Sequence, residues 1–299
     1  MRFLILFGLA GFLAQLVDGT LGMAFGVTST TTLLAIGTTP AVASAAVHLA
    51  EVGTALASGV AHWRFRNIDW RTVGILALPG AVGAVLGAYV LTSLSTESAA
   101  VWITTILLIL GLYVLIRFAF LRLGKLISGK RPGAKFLGPL GLIAGFVDAT
   151  GGGGWGPVAT TTLLSSGRLE PRKVVGSVDT SEFIVALAAS VGFLFALSEQ
   201  DNLNYTVVLG LMIGGIIAAP LAAWLVRRIP ARLLGALAGG LIVFTNARTL
   251  LKELDAADAV YTVTYAVIVV LWAIGVYAAV RAVREEKRLE KPEPEPVAS

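Results

Sequence analysis

The sequence predicts an all-α polytopic membrane protein built from two homologous repeats of opposite orientation. Each repeat is a glycine-broken, re-entrant helical hairpin followed by three transmembrane helices, and one extra C-terminal transmembrane helix closes the chain. Three observations carry this prediction. Of the 299 residues, 56% are hydrophobic and only 14% charged, well below the roughly 25% charged residues of a soluble domain. The mean hydropathy is +0.84, and several apolar stretches reach the roughly 20 residues a helix needs to cross a bilayer. A glycine-rich break beside an aspartate interrupts the apolar pattern twice, at matching places in the two halves.

The later break is the sharper one. Asp148-Ala149-Thr150-Gly151-Gly152-Gly153-Gly154-Trp155-Gly156-Pro157 divides an apolar run that begins near Phe136 and resumes at Val158. Glycine costs a helix about 1 kcal/mol per residue relative to alanine, so four in succession end it. Bare backbone at membrane depth is tolerated only where protein buries it or where it lines a cavity. The earlier break reads Asp18-Gly19-Thr20-Leu21-Gly22-Met23-Ala24-Phe25-Gly26. At one constant offset Asp18 matches Asp148, Gly22 matches Gly152, Gly26 matches Gly156 and Gly37 matches Gly167. The run from Thr30 to Leu34 likewise matches the run from Thr160 to Leu164. One inserted residue then brings Pro40 onto Pro171 and Glu51 onto Glu182. Paired, interrupted apolar segments of this kind mark the binding site of transporters built from repeats.

In chain order, residues 1–120 form the first repeat: a hairpin over 3–36 and spans at about 40–62, 72–92 and 99–120. A basic linker, 121–135, carries Arg122, Lys125, Lys130, Arg131 and Lys135. The second repeat, 136–251, holds a hairpin over 136–167 and spans at about 174–197, 204–226 and 233–251. The extra helix occupies 252–280, and 281–299 is a charged, flexible tail ending in alternating proline and glutamate. Basic loops favour the cytoplasm. With 121–135 inside, a hairpin at 136–167 brings Arg168, Arg172, Lys173, Arg227, Arg228 and Arg232 to the same side, whereas a crossing segment would put them outside. The cation-free connections at 37–40 and 93–98 then face outward, and the first hairpin enters from there. Arg2 lies outside in this scheme, against the rule. The competing topology has both broken segments crossing fully and two parallel halves.

The span after the first hairpin places Ser44, His48, Glu51, Ala55, Ser58 and His62 three or four residues apart, hence on one helix face. Asp179 and Glu182 form the corresponding stripe in the second half. Ionisable residues at membrane depth face the protein interior and mark pathways, although an interhelical hydrogen bond is the plainer use of a glutamate there. Asp18 and Asp148 stand where they could cap the helices that restart after the glycines. Those restarting helices aim positive dipole ends at one another, an arrangement suited to a small anion. The residues expected to bind substrate are Asp18, Gly19, Gly22, Gly26, Thr30, His48, Glu51, Asp148, Gly152, Gly153, Gly154, Trp155, Gly156, Thr160, Asp179 and Glu182. Phe25 and Trp155, at equivalent positions, could gate the site. No catalytic set, metal site or cofactor is expected, because cysteine is absent, histidine occurs twice and no nucleotide-binding loop appears. Proton coupling is assigned to Glu51 and Glu182. The readings left beside transport are a membrane enzyme using the Asp18/Asp148 carboxylates and an anion channel.

The Asp18–Gly26 motif resembles the sulfite exporter TauE/SafE family. So do the Val47-His48-Leu49-Ala50-Glu51 stretch, the Gly59-Val60-Ala61-His62 end ahead of Asn67-Ile68-Asp69-Trp70, and the second glycine run. The resemblance covers residues from about 4 to 280. It implies a bacterial or archaeal inner-membrane permease, multi-pass, for sulfite, sulfoacetate or related organosulfur anions. Its partners would be the small anion and membrane lipid, with no nucleic acid, and a homodimer is left open.

Overall fold

The computed structural model describes residues 2–21, 23–121, 131–197, 203–225 and 230–289, and among these the regular structure is entirely helical. Five helices precede the basic linker: α1 (Arg2–Leu21), α2 (Phe25–Ala35), α3 (Pro40–Arg64), α4 (Trp70–Ser93) and α5 (Thr96–Phe120). After it come α6 (Ala134–Gly151), a π-helical turn (Gly156–Thr160) that runs into α7 (Thr161–Ser166), α8 (Pro171–Ala196), α9 (Tyr205–Leu225), α10 (Ala231–Glu253) and α11 (Asp258–Leu289). The linker cations Arg122, Lys125 and Lys130, together with Arg227 and Arg228, lie outside the described residues.

Local chemistry sets the boundaries. Pro40 and Pro171 open α3 and α8, where a missing N–H costs nothing. The Asp69 side chain accepts from Thr72 N at 2.9 Å to cap α4, and Ser95 accepts from Ser98 N at 3.3 Å to cap α5. Equivalent glycines with positive φ follow the two short helices, Gly37 (92°) after α2 and Gly167 (61°) after α7. The duplication in sequence is thus a duplication of helix ends.

Four helix pairs organise the bundle. The helices α3 and α8 run antiparallel: His48 meets Phe193, Gly59 faces Thr180 and Asn67 faces Gly176. Helices α5 and α10 also run antiparallel, with Gly111 against Ile242 and Phe118 against Gly235. By contrast α4 and α6 run parallel, with Leu76 at Gly141, Gly80 at Gly145 and Gly87 at Phe146. So do α1 and α9, with Leu4 at Gly210 and Phe12 at Gly214. A Cβ at Gly145 would sit 2.1 Å from the Gly80 oxygen. Small residues let backbones close to this distance, which substitutes for a hydrophobic driving force that lipid does not supply.

Among the described residues, six helices are long and apolar enough to cross a membrane: α3, α4, α5, α8, α10 and α11. The sequence anticipates seven. The remaining expected span, α9, has 21 residues, and its apolar stretch Tyr205–Ala219 is shorter than a span. Large apolar side chains stay exposed along α1, α4 and α11, as a lipid-facing surface requires. The exposed Trp63, Phe65 and Trp70 cluster at the α3–α4 junction, a place for interfacial aromatics. Helix α11 does not end at 280. It continues to Leu289, held by an Arg281–Glu285 pair at 3.1 Å and by Arg232–Glu286 at 2.9 Å. The charged tail is therefore helical over its first residues, and 290–299 lie outside the described residues.

Candidate substrate site

The site is assembled from two broken-helix tips and the two stripe helices. At each break the aspartate turns back over the glycines to hold the start of the next helix. The Asp18 Oδ1 accepts from Ala24 N at 2.6 Å and Phe25 N at 3.1 Å. Its counterpart, Asp148 Oδ1, accepts from Gly154 N at 2.6 Å and Trp155 N at 2.9 Å. The capping role is realised in both halves with one geometry. A consequence follows for the dipole argument: two of the N–H groups at each restarting helix are already engaged by a carboxylate.

Glycine is required where the tips meet. Gly152 adopts φ 67° and Gly153 φ 143°, the left-handed region that a side chain disfavours. A Cβ on Gly153 would lie 2.2 Å from Val27 N, and one on Gly26 would lie 2.6 Å from the Gly153 Cα and 2.7 Å from Glu51 Oε1. Thr30 donates its hydroxyl to the Gly152 carbonyl, stitching one tip to the other. Gly154, in the break itself, is hemmed in by Val147 and Asp148 of α6. Gly156 lines the cavity described below, and Thr160 is fully buried nearby in the chain. Gly19 falls in the last turn of α1, and Gly22 lies outside the described residues.

Helix α3 brings His48 to Asp148. The His48 Nδ1 lies 2.8 Å from the Ser44 carbonyl, which can only accept, so Nδ1 carries a proton. Its Nε2 lies 3.2 Å from Asp148 Oδ2, and that contact holds one further proton between ring and carboxyl. Ser44 in turn donates to the Ala149 carbonyl at 2.7 Å. Further along the stripe, Asp179 on α8 accepts from Ser58 Oγ at 2.9 Å and meets His62 Nε2 at 3.2 Å. His62 is therefore tied into the bundle as well as lying beside Trp63. Asp179 is drawn away from the tips by these partners, and Glu182, one turn on, takes its place beside them.

A cavity of about 10 Å³ remains between the tips, lined by Asp18, Met23 to Val27, Glu51, Asp148, Gly153, Trp155 to Pro157 and Glu182. It has room for about one water. Four carboxyl groups face it, and among the described residues no lysine or arginine does. Glu51 is 2% exposed, and its Oε2 has no hydrogen-bond partner. The hydroxyls of Thr28 and Ser29 are likewise buried without partners. Trp155 is not free to stack: its Nε1 donates to the Val178 carbonyl at 3.1 Å and the ring is fully buried. Among the described residues no three His, Cys, Asp or Glu side chains are placed to hold a metal ion.

The sequence reading passed over Arg117, a buried arginine on α5 whose Nε and Nη2 have no partner. The signal was present, since an arginine within an apolar span is a functional candidate by default.

An apolar helical bundle that encloses a polar cavity between two interrupted helices is the framework of a membrane transporter, and comparison with known proteins places the chain in that class and not among enzymes. It belongs to the sulfite exporter TauE/SafE family, whose model matches residues 7–249. The probable membrane transporter protein YtnM of Bacillus subtilis (strain 168) is 55% identical to it over 273 residues, covering 91% of each chain. No solved structure matches it.

Proposed function

We propose that this transporter moves a small sulfur oxyanion or organosulfonate, bound between the two tips near the bilayer midplane, by alternating access of two inverted repeats. The observation that carries the reading is the central cavity. It is built from equivalent residues of both halves, and an unpartnered carboxyl oxygen of Glu51 lies among its lining residues. The family name supplies the sulfur chemistry, and the fold supplies two helix starts that meet at one cavity.

The helix directions support the inversion. Equivalent helices α3 and α8 lie antiparallel, as do α5 and α10, and a two-fold axis can relate antiparallel neighbours only if it runs across them. That axis lies in the membrane plane. Following the chain, the free ends of α1 and α2 then fall at one end of the bundle and those of α6 and α7 at the other. Both broken segments are re-entrant on this reading. Arg64, Arg66, Arg71, Arg131, Lys135, Arg168, Arg172, Lys173 and Arg232 gather at a single end, which is cytoplasmic by the positive-inside rule. The first repeat, the basic linker and the second repeat accordingly act as 1–120, 121–135 and 136–251 in an inner membrane.

Protons accompany the anion. Each ionised carboxylate on the rim repels an entering anion in a medium of low dielectric, and no lining cation offsets it. Asp18 and Asp148 are committed to the tips, so Glu51 and Glu182 are the groups left to take up a proton on loading and return it on release. Outward movement of the anion is also favoured by a negative interior, by about 2.3 kcal/mol per charge per 100 mV. The test is flux of sulfite and of sulfoacetate in proteoliposomes, with proton movement followed by an entrapped pH dye. Flux above empty liposomes, with protons moving alongside, supports the reading. Sulfur-anion flux no greater than that of empty liposomes refutes it.

A further inference from the structure

Arg117 stands apart from the carboxyl-lined cavity. It is 6% exposed, in the last turn of α5, and its Nε and Nη2 are buried without a hydrogen-bond partner. Val114 and Phe118, its neighbours on the helix, pack against Met23 and Ala24 in the break between α1 and α2. Met23 and Ala24 also line the central cavity. Arg117 is thus stationed behind the first tip, toward the basic end of the bundle.

A guanidinium stays charged at any accessible pH and offers five donors in a rigid fork. Burying that charge unpaired is unfavourable, so the fold retains it for something other than stability. The C-terminal dipole of α5 favours a cation there, yet it satisfies neither orphan nitrogen. Snorkelling to the membrane surface would expose the head group, whereas this one is enclosed by protein. A second guanidinium, that of Arg232, lies at the same end of α5. Arg232 donates from Nη1 to the Phe118 carbonyl at 3.4 Å and from Nε to Glu286 at 2.9 Å. The Glu286 carboxylate is thus engaged by Arg232. The central cavity, by contrast, is lined by carboxyl groups.

We infer that Arg117 is an anion-loading site one step before the cavity, its fork taking two oxygens of a sulfite or sulfonate group at the basic end. This inference rests on the reading of the protein as a sulfur-anion transporter. Two oxygens on one atom suit the parallel donors of the fork, which a lysine at this place could not reproduce. From there the anion passes the first tip as the carboxyl groups gain protons.

The test uses the purified full chain and the variants Arg117→Met and Arg117→Lys. Thermal unfolding is measured with sodium sulfite and sodium methanesulfonate against sodium chloride at equal ionic strength, and KM is measured in proteoliposomes. Wild type should unfold at higher temperature as sulfite or methanesulfonate is added. Arg117→Met should match or exceed wild type without these anions, lose the anion-dependent rise and show a KM increased about tenfold or more, the loss of a charge-assisted hydrogen bond. Arg117→Lys should recover part of the affinity. A wild-type response and KM in Arg117→Met overturns the inference and leaves the transport reading intact. Loss of stability in Arg117→Met without any anion, restored together with wild-type KM by Arg117→Lys, also overturns it, since the arginine is then structural. A wild type that neither transports nor responds to either anion defeats the transport reading and this inference with it.

Discussion

Gly26 and Gly153 touch backbone to backbone across the centre of the bundle, so close that a Cβ on either would fall within 2.7 Å of the other's main chain. The contact joins the halves at the proposed substrate site. Gly153→Val or Gly26→Val should abolish flux while leaving the protein inserted in the membrane. The added branch cannot be accommodated without parting the tips, and Gly153 carries the added cost of a left-handed φ. Flux is read in proteoliposomes and insertion by protease protection. Wild-type flux in either variant would remove the tips from the transport path.

Replacing the capping aspartates should separate their two duties. Asp148→Ala leaves two buried N–H groups and the His48 Nε2 without the partner they now have, a loss of about 2 kcal/mol or more. Asp18→Ala should cost less, because among the described residues no histidine contacts its carboxylate, which beyond the cap receives a 3.5 Å contact from Gln15. Asp→Asn at either position keeps one oxygen for the cap and should recover most of the stability. Denaturation midpoints in detergent give the order. An alanine variant as stable as its asparagine counterpart would show that the caps are dispensable.

Glu51→Gln and Glu182→Gln should retain anion binding and flatten the pH dependence of flux at clamped voltage. Glutamine keeps the shape and cannot exchange a proton. If both variants follow the wild-type pH profile, the glutamates are structural and transport is driven by voltage alone.

Single cysteines can be placed anywhere in this chain without competition, since it has none. Cysteines at Arg131 and Arg168 should react with an impermeant maleimide from the same, cytoplasmic side, and one at Glu97 from the opposite side. Labelling of Arg131 and Arg168 positions from opposite faces would mean that the broken segment crosses and the halves are parallel.

Much of this architecture was legible because the duplication is written in residues with strict local requirements. Aspartate, glycine and proline mark caps, left-handed turns and helix starts, so Asp18 and Asp148 revealed the tips before any packing was known. The stripe from Ser44 to His62 was readable for the same reason, as three- and four-residue spacing fixes a face. Contacts between distant segments were not. Nothing local tells that Thr30 reaches Gly152, that Asp179 pairs with His62, or that α4 lies along α6. The extension of α11 to Leu289 escaped because its charged turns read as tail, and their pairing with one another and with Arg232 is visible only in three dimensions. Arg117 escaped because attention followed carboxylates.

The equivalence of the halves fails at one pair of contacts. Under the repeat, position 48 corresponds to 179 and position 62 to 193. At the basic end the pair is His62 with Asp179, a polar contact of 3.2 Å. Its counterpart at the other end is His48 with Phe193, two rings whose centroids lie 5.8 Å apart. A machine of two identical inverted halves would have equal energy in its inward-open and outward-open forms, and would rest in neither. One polar latch and one greasy latch remove that degeneracy. A difference of about 1.4 kcal/mol between them skews the two populations tenfold. On the proposed alternating-access reading, this mismatch biases the sense in which the empty carrier waits, and hence the side from which it is readiest to load, before any substrate arrives.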